Sequence, residues 1–131
     1  MSEQNMRQRV IHLLRSLDAI SVENPVYPGT PDVNFVEGWL ELKWLPDWPA
    51  RKETVVHIDH FTPQQRVWLL KRSTHRGNAR LLLCVHREWL LFDGLTASAH
   101  VGRVPRNLLY KLAQRCWAKP PSSEELIPCL R

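Results

Sequence analysis

Asp32, Glu41 and Lys43 bring two carboxylates and an ammonium into one short stretch of chain. They sit in Gly29-Thr30-Pro31-Asp32-Val33-Asn34-Phe35-Val36-Glu37-Gly38-Trp39-Leu40-Glu41-Leu42-Lys43. This reads as two strands, Asp32 to Val36 and Trp39 to Trp44, because two apolar-rich runs separated by two residues ending in Gly are a hairpin signal. With Glu37-Gly38 as the turn, simple register pairs Val36 with Trp39, Asn34 with Glu41 and Asp32 with Lys43. Side chains alternate along a strand. Asp32, Asn34, Glu41 and Lys43 therefore share one face, and Val33, Phe35, Leu40 and Leu42 the other. Asp32 and Glu41 become diagonal neighbours, about 7–8 Å apart at the backbone. Two carboxylates at that spacing can converge on one divalent cation. Hard cations such as Mg²⁺ prefer carboxylate oxygens and keep several waters, one of which can become a nucleophile. A lysine beside them can orient or deprotonate that water, or stabilise charge on an attacked phosphate. The chemistry open to this set is phosphodiester hydrolysis. The plainer reading is surface decoration, since cross-strand Asp–Lys pairs and Glu-x-Lys are common.

The elements that must hold these residues are legible around them. Met6, Val10, Leu13, Leu14 and Leu17 fall at helical spacing, predicting an amphipathic helix over Glu3 to Leu17. Ile20 to Val26 reads as extended, bounded by Asn24-Pro25 and Pro28-Gly29 turns. Leu45 to Lys52 reads as a surface loop and Thr54 to Ile58 as a short strand or extended edge. Thr62 is an N-cap, Pro63 suits the first helical position and Gln65 can close a capping box. That helix runs to about His75 and is stopped by Gly77-Asn78. Ala79 to Val85 is an apolar strand buried on both faces, and Trp89 to Phe92 follows after a tight turn near Arg87. A last helix opens near Pro105, with Leu108, Leu109, Leu112, Ala113 and Cys116 on one stripe, and the tail from Lys119 frays. The order is a mixed sheet flanked by helices, an α/β (α+β) class.

Taken together, Gly29-Thr30-Pro31-Asp32, Trp39-Leu40-Glu41-Leu42-Lys43 and Phe61-Thr62-Pro63-Gln64-Gln65 resemble the PD-(D/E)XK nuclease superfamily. The likeness is to its small phage and archaeal members, including Holliday-junction resolvases and virus-type replication–repair nuclease domains, and covers about Ile20 to Val85. The resemblance implies a restriction-endonuclease-like core, α-β-β-β-α-β, with a C-terminal helix added. It implies Mg²⁺ or Mn²⁺ held by Asp32, Glu41 and the backbone carbonyl of Leu42, with Lys43 assisting the attacking water. Gln65 would hold the lysine or a phosphate, although its capping role explains it without chemistry. Many members add a further acid, for which Glu23, Glu3 and Asp18 are available. The implied activity is endonucleolytic cleavage of structured DNA, a Holliday junction above all, by a homodimer with one site per strand. A non-specific or single-strand phage replication or packaging nuclease is the alternative within that class. A non-catalytic DNA-binding module on the same fold is the alternative outside it.

Candidate DNA contacts are Trp48, Arg51 and Lys52 in the loop after the acidic hairpin, His60 before the next helix, and Arg66, Lys71 and Arg72 on it. Basic residues like these neutralise phosphates, and an aromatic among them can stack on unpaired bases or wedge a junction. A solvated basic surface is the plain alternative. His57, Asp59 and His60 have no standard metal-site spacing, and a strand end explains them.

The chain has 131 residues, a size that predicts one domain over 1–131, with a core over about 3–92, a helical extension over about 100–119 and a loose tail over 120–131. Eighteen Lys and Arg against thirteen Asp and Glu, a formal charge of +5, permit a polyanionic partner. Cys84, Cys116 and Cys129 are odd in number and scattered, which disfavours a disulfide framework and a structural zinc site. No apolar run approaches a membrane span, and the polar start over Met1 to Arg9 predicts a cytosolic protein without a membrane partner.

Overall fold

The computed structural model describes residues 2–131. Helix α1 (Glu3–Leu13) opens on Ser2, whose hydroxyl accepts the Asn5 N–H, and a single 3₁₀ turn continues it over Arg15–Leu17. Asp18 follows in the left-handed region, at φ 54°, which accounts for this acid as a helix stop. Six strands form one sheet in chain order: β1 (Ile20–Ser21), β2 (Val33–Phe35), β3 (Gly38–Leu45), β4 (Ala79–Val85), β5 (Glu88–Asp93) and β6 (Arg115–Trp117). Only β3 and β4 are parallel, and their crossover carries helix α2 (Pro63–Thr74). Short helices α3 (Gly94–His100), α4 (Arg106–Leu112) and α5 (Ser123–Leu126) follow. The mixed sheet flanked by helices matches the architecture expected from the hydrophobic pattern.

Strand alternation sorts the core into two layers. Leu40, Leu42, Val33, Phe35, Leu82 and Trp89 meet Met6 and Val10 of α1 and Leu14 just after it on one face. Leu81, Leu83, Val85, Leu90 and Phe92 meet Leu69 of α2, Ala97 of α3 and Leu109 of α4 on the other. Central strands covered on both faces need apolar residues at every position, which is why β4 reads as an unbroken run.

Four expectations are corrected. The hairpin turn is Val36-Glu37, with Phe35 opposite Gly38, Asn34 opposite Trp39 and Val33 opposite Leu40. A slip that preserves parity leaves every side chain on its expected face, so hydrophobic pattern cannot choose between the two registers. The neighbouring strand decides: Trp39 donates to the Asn78 carbonyl at 2.9 Å, and a Cβ on Gly38 would collide with that same oxygen. Thr54 to Ile58 forms no strand; it makes one isolated bridge, Val55 with Pro105. The expected last helix is α4 followed by β6, which adds to the sheet on β5 and buries Trp117. The tail does not fray. Ser122 and Glu125 form a capping box for α5, and Leu126 and Leu130 are fully buried against the α1 layer. Helix α2 ends where expected, with His75 as its C-cap, and Arg76, at φ 66°, takes the left-handed position ahead of Gly77.

Candidate active site

Glu41 and Lys43 occupy alternate positions of β3, where strand geometry points both toward the α2 side of the sheet. Both are almost wholly enclosed, with side chains 1% and 3% exposed. Asp32 lies in the bend just before β2, outside the paired register, close enough for its charge to act on Glu41. Asp32 is pinned there from two sides: the Leu42 N–H donates to Oδ2 at 3.0 Å and Arg7 of α1 donates to Oδ1 at 3.1 Å. Lys43 Nζ donates to the His60 carbonyl at 2.9 Å and lies 3.3 Å from Glu41 Oε1.

Glu41 is the anomaly of the site. Both its carboxylate oxygens are buried and neither accepts a hydrogen bond. Burial first, and then the charge of Asp32, pushes its carboxyl well above the ordinary range, against the opposing pull of Lys43. Unsatisfied polar atoms in a packed interior are costly and usually have a reason. A divalent cation supplies one, since it would add ligation to oxygens whose one charged partner is the Lys43 ammonium at 3.3 Å and would offset the repulsion between the two acids. Among the described residues no group of three or more His, Cys, Asp and Glu side chains has metal-site geometry. Two neighbouring carboxylates still suit Mg²⁺, which binds through one or two carboxylates and retains water. The residues fit a hard cation.

The remaining residues fall in different places. Gln65 is engaged as an N-terminal cap of α2: its Oε1 accepts the Thr62 N–H at 2.9 Å, and the Thr62 hydroxyl accepts the Gln65 N–H at 3.2 Å. Glu23 is exposed beyond the end of β1 and has no ion pair with the site. Glu3 is better placed, since its carboxylate lies 3.4 Å from His60 Nε2, although burial and Lys43 lower the pKa of that imidazole. Arg7, one helical turn from Glu3, escapes sequence reading. Its only signal is the i,i+4 spacing that puts both on one side of α1.

The candidate DNA contacts separate into groups. Arg51 and Lys52 are exposed, as are Lys71 and Arg72 on α2. Arg66 turns inward, stacking 4.3 Å over Phe61 and donating to the Ser98 carbonyl at 3.1 Å. Trp48 is not a mobile loop tip. Its indole N–H donates to Glu88 at 2.6 Å, and Arg106 stacks 4.7 Å from its ring centre. His57 and Asp59 are exposed. Cys84 lies in the core, where burial pushes its thiol up to about 11.

No family model and no curated protein matches the chain. Among solved structures it is similar to the 1.6 Å structure of Archaeoglobus fulgidus Hjc, a Holliday junction resolvase from an archaeal hyperthermophile. The two are 18% identical over 83% of this chain and 90% of that one, with a TM-score of 0.48. That likeness is too loose to carry an activity across. No helix among the described residues is long and apolar enough to cross a membrane.

Proposed function

We propose that the chain is an endonuclease that hydrolyses phosphodiester bonds of DNA with the help of Mg²⁺ or Mn²⁺. The observation that carries this reading is the buried, hydrogen-bond-free carboxylate of Glu41 beside Asp32 and Lys43. Asp32, Glu41 and the Leu42 carbonyl would hold the cation. When bound, it supplies a polarised water and countercharge for the phosphate. Lys43, fixed by the His60 carbonyl, presents an ammonium donor where negative charge grows during attack on phosphorus. Asp32 is oriented for its role by Arg7 and the Leu42 amide. The basic surface, with a formal charge of +5, supports a polyanion as substrate. A branched DNA such as a four-way junction, cut by a homodimer, is the substrate and assembly we favour.

The test incubates the protein with a synthetic four-way junction, a matched duplex and a single strand, in Mg²⁺ or EDTA. Paired, metal-dependent nicks on the junction are expected. Cutting without junction preference would keep the nuclease and discard the junction, and tight binding without cutting in Mg²⁺ would leave a DNA-binding module. Asp32→Asn and Lys43→Ala should each reduce cleavage at least about a hundredfold while DNA binding persists. Full activity in either variant would sink the site.

A further inference from the structure

Helix α2 buries only one residue, Leu69, completely. Its outer side faces a groove of about 790 Å³, closed opposite by the chain from Asn24 to Thr30. That is the size range of small-ligand clefts. Tyr27, Trp39 and Trp68 supply flat walls, and Lys71, Arg72 and His75 line the same groove. No carboxylate lines it among the described residues. Trp39 and Trp68 meet edge to face at 5.3 Å, and Arg72 lies 4.4 Å over Trp68. Tyr27 is 67% exposed. The groove also has an address. Trp39 shares its face of β3 with Glu41, two residues on, so the groove begins about 7 Å along the strand from the buried carboxylate.

We propose that this groove binds an unpaired nucleotide of the DNA, its base against Tyr27, Trp39 and Trp68 and its phosphates against Lys71 and Arg72. Aromatic rings beside cations are what single-stranded nucleic acid requires: every base has a face to stack, and each phosphate a charge to neutralise. A second copy of the chain is a poorer occupant, because a two-fold contact would bring the Lys71, Arg72 and His75 clusters against one another without an acid between them. The place of this site in the reaction rests on the nuclease reading, with the strand passing from the groove to Glu41. Its binding does not.

The experiment measures fluorescence anisotropy of a labelled oligothymidine of about eight nucleotides and of a short hairpin duplex, both in EDTA, so that nothing is cleaved. Trp68→Ala and Tyr27→Ala are each expected to lose about tenfold in affinity for the single strand and to keep their affinity for the duplex. Tyr27 stands outside the core, so that variant reports on the groove even where Trp68→Ala fails to fold. Unchanged affinity in Tyr27→Ala, or equal loss on strand and duplex, overturns the proposal. A shift from dimer to monomer on sedimentation, with oligothymidine affinity intact, overturns it in favour of self-contact. Protein that binds oligothymidine through Tyr27 but never cuts DNA would overturn the nuclease reading and leave the groove standing.

Discussion

Glu41 is the group through which protons and, on the proposed reading, a metal would act on this site. In water its carboxyl would titrate near 4.5, whereas burial and Asp32 raise it in the folded chain. Between those two values the folded protein holds a proton that the unfolded chain has released. The contribution of Glu41 to stability therefore falls as pH rises through that interval when metal is absent. A cation that replaces the proton reverses this. Saturating Mg²⁺ or Mn²⁺ should raise the melting temperature more at alkaline than at acid pH, with about 3 kcal/mol available at a hundredfold excess over Kd. Proton release should appear in titration calorimetry as a dependence on buffer ionisation enthalpy. Glu41→Gln should remove both effects. A metal-induced shift that survives in that variant would take Glu41 out of the ligand set.

At the scale of elements, the site depends on two joints. The first is Gly29, at φ 88°, where an added Cβ would strike the Gln64 carbonyl. No other residue lets the chain before Asp32 lie so close to the start of α2. Gly29→Ala should cost about 1–3 kcal/mol in a denaturant titration, and should reduce cleavage beyond what the stability loss explains because Asp32 shifts with its loop. The second joint is the cap of α2. Thr62→Ala and Gln65→Ala each remove half of one capping box, so both should lose about 1 kcal/mol and keep most of their cleavage at low temperature. Loss of cleavage confined to Gln65→Ala would return that glutamine to the chemistry. Trp48 belongs to this scale too. Its indole ties the segment after β3 to Glu88 on β5, so its replacement should loosen the fold on heating rather than discriminate among DNA shapes.

For the molecule as a whole, the C-terminal segment is part of the core. Leu126 and Leu130 are sealed against the α1 layer, and the Ser123 hydroxyl donates to the Leu13 carbonyl at 2.7 Å. Burying two leucines is worth about 3–6 kcal/mol, a large share of a domain's total stability. Deleting residues 120–131 should lower the melting temperature sharply in circular dichroism, and with it cleavage, although the deletion removes no candidate ligand. A truncated chain that melts like the full one would show the tail to be dispensable.

The sequence by itself determined the alternation that puts Glu41 and Lys43 on one face, the capping box at Thr62 and Gln65, and the doubly buried strand over Ala79 to Val85. Each is a local pattern, with period two or a spacing of three, and needs no distant partner to be read. Tertiary structure alone decided the rest. The Asn78 backbone pressed on Gly38 chose the hairpin turn, a choice that side-chain parity leaves open. Packing against β5 drew Arg115–Trp117 out of a helical stripe into a strand, because a free sheet edge there outweighs short-range periodicity. The same long-range burial turned an apparently loose tail into core and brought Arg7 onto Asp32 across the fold. It also enclosed Glu41 beside Lys43 and Asp32, and no sequence pattern records which of its carboxylates the folded chain will bury.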